Sequence, residues 1–171
     1  MDISVDTPYG NNRNRTLEVS MEFGEYLKNE KQSENIIRAL TDRSCKNSNT
    51  SLTDKDINRD LATLGDAIIK LRLTYKFLDK VDKLSEHKKQ YEEDEFLVTK
   101  VAKSYGLLEY MRFDKTNVNI IKNYDYNKKT NNNNPHKYIA TAVEAMIGAI
   151  YLDTLNFIDI DNILDKWMKI N

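Results

Sequence analysis

The pattern of hydrophobic and polar positions along the chain predicts helices and no strands. No stretch alternates apolar and polar residues with the period of two that is typical of a half-buried strand. Five Gly and two Pro among 171 residues leave few positions at which a helix must break. The pattern therefore predicts an all-α fold.

Apolar residues recur at helical spacing in segments that polar stretches separate. The predicted helices cover residues 16–30, 33–44, 57–79, 84–106, 136–152 and 159–170. We expect residues 1–15 to form a polar tail, and 45–56 and 123–136 to form loops. Thr53 and Asp56 have the approximate spacing of a capping box for the helix that follows them. Gly106 is a residue type that commonly ends a helix.

Two of the predicted helices are almost wholly apolar, and each carries one carboxylate. Asp66 is the only charged residue in 61–69, and we expect no cation within a helical turn on its face. Glu144 is the only charged residue in 138–152. Because helices that are apolar all round are usually buried, the sequence predicts two buried carboxylates.

Small residues are concentrated in the same two helices and would let their backbones approach closely. They are Ala62, Gly65, Ala140, Ala145, Gly148 and Ala149. If the helices pack together, Asp66 and Glu144 converge and repel each other in a desolvated setting. A bound Mg²⁺ would relieve the repulsion. The alternative is that backbone N–H groups, a hydroxyl, or a Lys or Arg from elsewhere satisfies each carboxylate.

Overall composition restricts the class of protein. With 26 basic and 27 acidic residues the net charge is −1, so nucleic-acid binding would need local patches or a metal. A single cysteine, Cys45, excludes an intrachain disulfide and a cysteine-rich zinc site. No apolar run reaches about 18 residues, and the N-terminal residues lack a signal-peptide core, so we expect a cytoplasmic protein with no membrane contact.

Four segments resemble, in the right order, the sequence blocks of the ribonuclease III catalytic domain. They read ENIIRALTDRSCKNSN, NRDLATLGDAI, VAKSYGLLEYMRF and YIATAVEAMIGAIYLD. Together they extend over nearly the whole of residues 17–170. The resemblance implies the ribonuclease III endonuclease-domain fold, a helical bundle over residues 16–171, with no double-stranded RNA-binding domain.

The resemblance also implies which residues are catalytic. Asp66 and Glu144 match two of the family's carboxylates and would hold Mg²⁺, for which Mn²⁺ could substitute. Two further carboxylate positions of the family are Ala62 and Thr141 here, and Arg59 occupies another position that is usually acidic. LATLGDAI and YIATAVEAM resemble the Mini-III ribonucleases at these positions too, although ALTDRS is closer to full ribonuclease III. The Mini-III resemblance implies that two carboxylates suffice, with the Thr141 hydroxyl holding a metal-bound water.

The implied reaction is hydrolysis of double-stranded RNA, as in RNA processing, to 5′-phosphate and 3′-hydroxyl ends by a homodimer. Candidate RNA contacts are Arg43, Lys128, Lys129, His136 and Lys137. The alternatives are a solvated loop and a structural arginine. For the acidic run 92–95 we expect a solvated face, with a role in metal binding as the alternative. Two other functions remain open. One is a catalytically impaired member that acts as an RNA-binding or ribonucleoprotein structural subunit, and the other is a helical dimerisation module with no RNA role.

Overall fold

The computed structural model describes residues 21–29, 32–114, 123–126 and 135–170. Within these ranges every regular element is helical, and the one extended pairing is an isolated parallel bridge between Thr41 and Arg112. The predicted all-α fold is confirmed. The tail predicted for residues 1–15 and the predicted RNA contacts Lys128 and Lys129 lie outside the described residues.

The helices follow the predicted order, with shorter bounds at several ends, but the single helix predicted over 84–106 is wrong, because extended backbone at Glu93 divides it. They are α1 (Phe23–Lys28), α2 (Glu34–Ala39), α3 (Cys45–Ser48), α4 (Arg59–Lys76), α5 (Leu84–Glu92), α6 (Asp94–Phe96), α7 (Lys103–Tyr105), α8 (Pro135–Thr154) and α9 (Phe157–Trp167). A π-helical stretch, Leu97–Ala102, joins α6 to α7, and 3₁₀ turns cover Asp54–Asp56, Val81–Lys83 and Leu107–Glu109. Gly106 ends α7 in the left-handed conformation with φ 63°, as predicted.

Two local predictions are wrong in detail. The loop expected over 45–56 contains α3 and a 3₁₀ turn, and the Thr53–Asp56 capping box closes that turn instead of capping α4. The helix expected over 33–44 ends at Ala39, because the following residues pair with a distant segment: the Arg112 backbone N–H donates to the Leu40 carbonyl at 2.8 Å. Local sequence preference is overridden here by a tertiary contact.

The centre of the molecule is the crossing of α4 and α8, whose backbones are in contact. A Cβ atom added at Gly65 would lie 1.7 Å from the carbonyl oxygen of Glu144, and one at Gly148 would lie 2.2 Å from that of Leu61. Only glycine permits such an approach. From residue 139 to residue 150, α8 is buried everywhere except at Thr141 and Glu144. The polar face of α8 is therefore the face that carries the predicted site.

The remaining helices enclose this crossing. In α9 the predicted apolar face is buried, and its Trp167 makes an edge-on contact with Phe23 of α1, with ring centroids 5.3 Å apart. Tyr105 at the end of α7 closes the same cluster, 5.1 Å from Phe23. Among the described residues no helix has both the length and the apolar character needed to cross a membrane.

Candidate active site

A surface cavity of about 500 Å³ lies where α4 and α8 present their carboxylates. Its wall includes Asp66, Glu144 and Thr141 of the predicted catalytic set, and Arg43 and Lys137 of the predicted RNA contacts. Residues from three separate segments, at position 43, at position 66 and at 137–144, therefore share one cavity.

Close helix packing explains why the two carboxylates converge. Gly65, which precedes Asp66, lies against the main chain of Glu144, so the two acidic residues extend from adjacent points of the crossing. The negative charge of Asp66 is one of the causes that raise the pKa of Glu144. The convergence expected from the small residues of both helices is present.

Glu144 is a half-buried carboxylate that has no hydrogen bond or ion pair within the described part of the chain. Burial, followed by the negative charges of Asp66 and Asp94, raises its pKa to about 7. Lys137 and Lys70 act in the opposite direction but do not offset burial. The Glu144 side chain thus carries a proton far more readily than an ordinary glutamate.

Asp66 differs from its expected state in two ways. Its Oδ2 atom accepts a hydrogen bond from the Lys70 ammonium at 2.8 Å, and its side chain is 35% exposed. The expectations of a buried Asp66 and of no cation on its face are therefore wrong. Lys70 follows Asp66 by four residues, and residues at that spacing are neighbours on a helix surface. The alternative expectation, in which a lysine satisfies the carboxylate, is correct for Asp66 and not for Glu144.

The acidic run 92–95 is only partly a solvated face, so that expectation is also wrong in part. Glu92 and Asp94 line the cavity, whereas Glu93 is exposed. An extended backbone at Glu93, with φ −76° and ψ 143°, separates α5 from α6. Asp94 then pairs with Lys137 across 3.4 Å. No helical periodicity would have predicted this placement, because the helix is interrupted inside the run.

The remaining predicted RNA contacts have different surroundings. Both ring nitrogens of His136 have partners: Nδ1 lies 2.7 Å from the Tyr124 hydroxyl and Nε2 lies 3.3 Å from Glu95. The exposed Arg43 guanidinium lies over the Tyr138 ring, 5.6 Å from its centroid, and has no carboxylate partner among the described residues. RNA contact stays a prediction for Arg43, Lys137 and His136, and His136 would have to give up a contact to make one.

Comparison with known proteins assigns the family. The ribonuclease III domain matches residues 59–155, more than half of the chain, including both carboxylates. This chain belongs to the ribonuclease III domain family. The nuclease domain of ribonuclease III from Campylobacter jejuni is similar in two solved structures. One has 23% identity and a TM-score of 0.64 over 86% of this chain and 94% of that chain, and the other has 22% and 0.63 over 86% and 91%. None of the curated proteins is detectably similar.

Cations occupy positions of this ribonuclease III domain that sequence analysis did not select. Lys70 pairs with Asp66, and Arg59, which stands at a usually acidic family position, lines the same cavity. The exposed Arg59 side chain has no ion-pair partner in the described ranges. The i, i+4 spacing from Asp66 was a sufficient signal for Lys70. For Arg59 the sequence signal was a basic residue at a position of the family motif that is usually acidic.

The donor set of this ribonuclease III domain fits a divalent ion that keeps much of its water. Across the described residues, no three or more His, Cys, Asp and Glu side chains are grouped as a metal site. Asp66, Glu144 and the Thr141 hydroxyl supply oxygen only, which suits Mg²⁺ or Mn²⁺ better than zinc. The Glu144 carboxylate, which has no partner among the described residues, is the observation that favours cation binding here, because a desolvated charge without a partner is costly.

Proposed function

We propose that this ribonuclease III domain is a metal-dependent endoribonuclease that hydrolyses double-stranded RNA to 5′-phosphate and 3′-hydroxyl ends. The observation that supports this most is the unpartnered carboxylate of Glu144 beside Asp66 in an open cavity. A carboxylate held with a pKa near 7 in a cleft is typical of functional sites. The proposed setting is RNA processing in the cytoplasm.

Each residue of the cavity has a role in this proposal. Asp66 and Glu144 bind Mg²⁺, or Mn²⁺ as a substitute, and the Thr141 hydroxyl hydrogen-bonds a water of the ion. The bound ion supplies Lewis-acid chemistry, which polarises a phosphoryl oxygen and acidifies a coordinated water. Glu144 in its charged form holds the site negative, and Asp66 must be released from Lys70 before it binds the ion.

RNA is bound in this proposal through its phosphates. Arg43, Arg59 and Lys137 line the cavity as cations with long side chains, and the two arginines have no carboxylate partner among the described residues. Duplex RNA is recognised mainly by shape, phosphates and 2′-hydroxyls, so a few such cations suffice. Lys128, Lys129 and His136 stay proposed contacts of the same kind.

The proposal includes the subclass, the domain boundaries and the assembly. At Ala62 and Thr141 the sequence resembles that of the Mini-III ribonucleases. This resemblance favours an active enzyme with two carboxylates over a protein that has lost its activity. Residues 16–171 would form a single catalytic domain. The enzyme would act as a homodimer, and one of the similar Campylobacter structures is described as having structural flexibility in a region involved in dimer formation.

Cleavage of a labelled RNA duplex of about 30 base pairs tests the proposal. We expect cleavage with Mg²⁺ or Mn²⁺, none with EDTA, and none for Asp66→Asn or Glu144→Gln, with circular dichroism showing that both variants are folded. The products should be degraded by an exonuclease that requires a 5′-phosphate. A folded wild-type protein that leaves the duplex intact with either ion would refute the enzymatic function.

A second candidate function is a structural, RNA-binding subunit of the same fold. The Lys70–Asp66 ion pair favours it, because it neutralises one of the two remaining carboxylates. In that case RNA would bind equally well with Mg²⁺ and with EDTA, no cleavage would occur, and Glu144→Gln would bind RNA as the wild type does.

A further inference from the structure

Lys70 is the cation closest to the candidate metal ligands. Its Nζ atom lies 2.8 Å from Asp66 Oδ2, and its side chain is 50% exposed on the wall of the cavity. The Lys70 charge also acts on Glu144, and the charges of Glu92 and Glu144 act on Lys70. The charge of one ammonium group thus acts on both carboxylates of the site.

Lys70 and a divalent ion would bind the same carboxylate, that of Asp66. A carboxylate oxygen that accepts a hydrogen bond from an ammonium 2.8 Å away has no room for a metal ion on that side. The ammonium also reduces the net charge of the Asp66, Glu144 and Lys70 group to −1, which weakens its attraction for a divalent ion. A half-exposed lysine can leave, because its flexible chain has solvent beside it.

We infer that Lys70 is a built-in competitor of the divalent ion at Asp66. It satisfies the Asp66 carboxylate when no ion is bound, and it must be displaced when an ion binds. This inference rests on the proposed metal-dependent function. Its consequence is that the site of this chain binds ions more weakly than its two carboxylates alone would, and is filled only at higher ion concentrations.

Lys70→Met tests the inference through metal affinity instead of activity. Methionine keeps the length and apolar stem of lysine and removes the charge. We expect Mn²⁺ to bind Lys70→Met with a dissociation constant roughly threefold to tenfold lower than that of the wild type, measured by isothermal titration calorimetry.

Lys76→Met is the matched control. Lys76 lies on the same helix and forms an ion pair with Asp165 at 2.6 Å, and neither residue lines the cavity. The control removes the same charge at a distance, so Mn²⁺ affinity should change by less than about twofold. Equal tightening in both variants would show a general charge effect and would overturn the inference.

A spectroscopic measurement on the unaltered protein gives a second test. We expect Mg²⁺ to shift the ammonium resonance of Lys70 in ¹H–¹⁵N spectra, because the ion displaces it from Asp66, and to leave the Lys76 resonance in place. A Lys70 resonance that does not move while Mg²⁺ binds would overturn the competition.

The outcomes separate this inference from the proposed function. If wild type and Lys70→Met bind Mn²⁺ equally, the competition is refuted and a metal-dependent function stands. If only Lys70→Met binds Mn²⁺, the competition is supported and metal-dependent catalysis by the natural chain is refuted. If neither protein binds Mn²⁺, both are refuted.

Discussion

The two carboxylates of the site look equivalent in sequence and are different in the structure. Asp66 is paired with Lys70, while Glu144 has no ion-pair partner among the described residues. Both lie in largely apolar helices, so hydrophobic patterning could not distinguish them. The difference arises because residue 70 follows Asp66 by one turn, whereas the residues one turn from Glu144 are Ala140 and Gly148.

Glu144 should make stability depend on pH near neutrality. Its pKa in the folded protein, about 7, lies above the usual glutamate value, so folding favours the protonated form. This contribution is fully present below about pH 4.5 and is lost as pH rises through 7. Relative to Glu144→Gln, the wild type should therefore lose about 1 to 2 kcal/mol of unfolding free energy between pH 5.5 and 8.5, since solvent in the cavity screens part of the effect.

Urea unfolding in EDTA, followed by circular dichroism, measures this difference. Glu86→Gln, which changes an exposed glutamate of α5, is the control and should follow the wild type at both pH values. The assignment fails if the gap between wild type and Glu144→Gln is the same at pH 5.5 and pH 8.5.

At the scale of elements, the α4–α8 crossing holds the site together. Gly65 and Gly148 each lie against a backbone carbonyl of the other helix, so the helices are closer than side chains would allow. This close approach brings Asp66 and Glu144 to one cavity. The site therefore depends on Gly65 and Gly148 as well as on its two carboxylates.

Gly65→Ala should destabilise the protein by about 3 kcal/mol or more, because its Cβ would lie 1.7 Å from the backbone oxygen of Glu144 and the helices must separate. Gly24→Ala is a helical control whose Cβ would lie 3.2 Å from the movable Tyr105 side chain, so the change should stay below about 1 kcal/mol. Urea unfolding measures both variants. Equal stability of the two alanine variants would contradict the close backbone contact.

At the scale of the whole molecule, α4 presents a stripe of exposed residues. Thr63, Ala67, Leu71 and Tyr75 follow one another at helical spacing, and Leu78 continues the stripe just past the helix. Leu71, Tyr75 and Leu78 are 55%, 66% and 54% exposed. Apolar residues grouped in this way are typical of an interface.

We expect the wild type to be a two-fold dimer through this stripe, and Leu71→Asp combined with Leu78→Asp to be a monomer, because four buried charges would face each other. Light scattering at micromolar concentration measures the mass. Leu152→Asp, on α8 and 41% exposed, is the control and should stay dimeric. A monomeric wild type that still cuts both RNA strands would rule out the dimer.

Because the net charge of the chain is −1, we expect it to contact few RNA phosphates. The number of these contacts sets how steeply RNA affinity falls with salt. Removing Arg43 and Lys137 together, as alanine variants, should shallow the slope of log affinity against log salt by about one to two units. Alanine at Lys55 and Lys103, exposed lysines away from the cavity, is the control. An unchanged slope in the cavity variant would mean that RNA binds elsewhere.

The same test applies to Lys128 and Lys129, which lie outside the described residues. Their double alanine variant should also shallow the slope by about one to two units and leave metal affinity unchanged. If its slope equals that of the wild type, segment 123–136, which contains both lysines, does not bind RNA.

The sequence by itself determined the helical class, the burial of most of α8 and the convergence of Asp66 and Glu144 on one cavity. These features follow from the local periodicity of the sequence and from small residues, which allow close approach wherever two helices pack. The four-residue spacing of Asp66 and Lys70 was also sufficient to predict their ion pair, contrary to the expectation of no cation on that face.

Only the tertiary structure decided where α2 ends, which acidic residues of 92–95 reach the cavity, and that Arg43 and Arg59 join it. Each depends on a contact between distant segments: the Thr41–Arg112 bridge, the extended backbone at Glu93 that separates α5 from α6, and the approach of residues 43 and 59 to α8. Such contacts leave no periodic signal, because the free energy that fixes them comes from packing and not from the preference of any one segment.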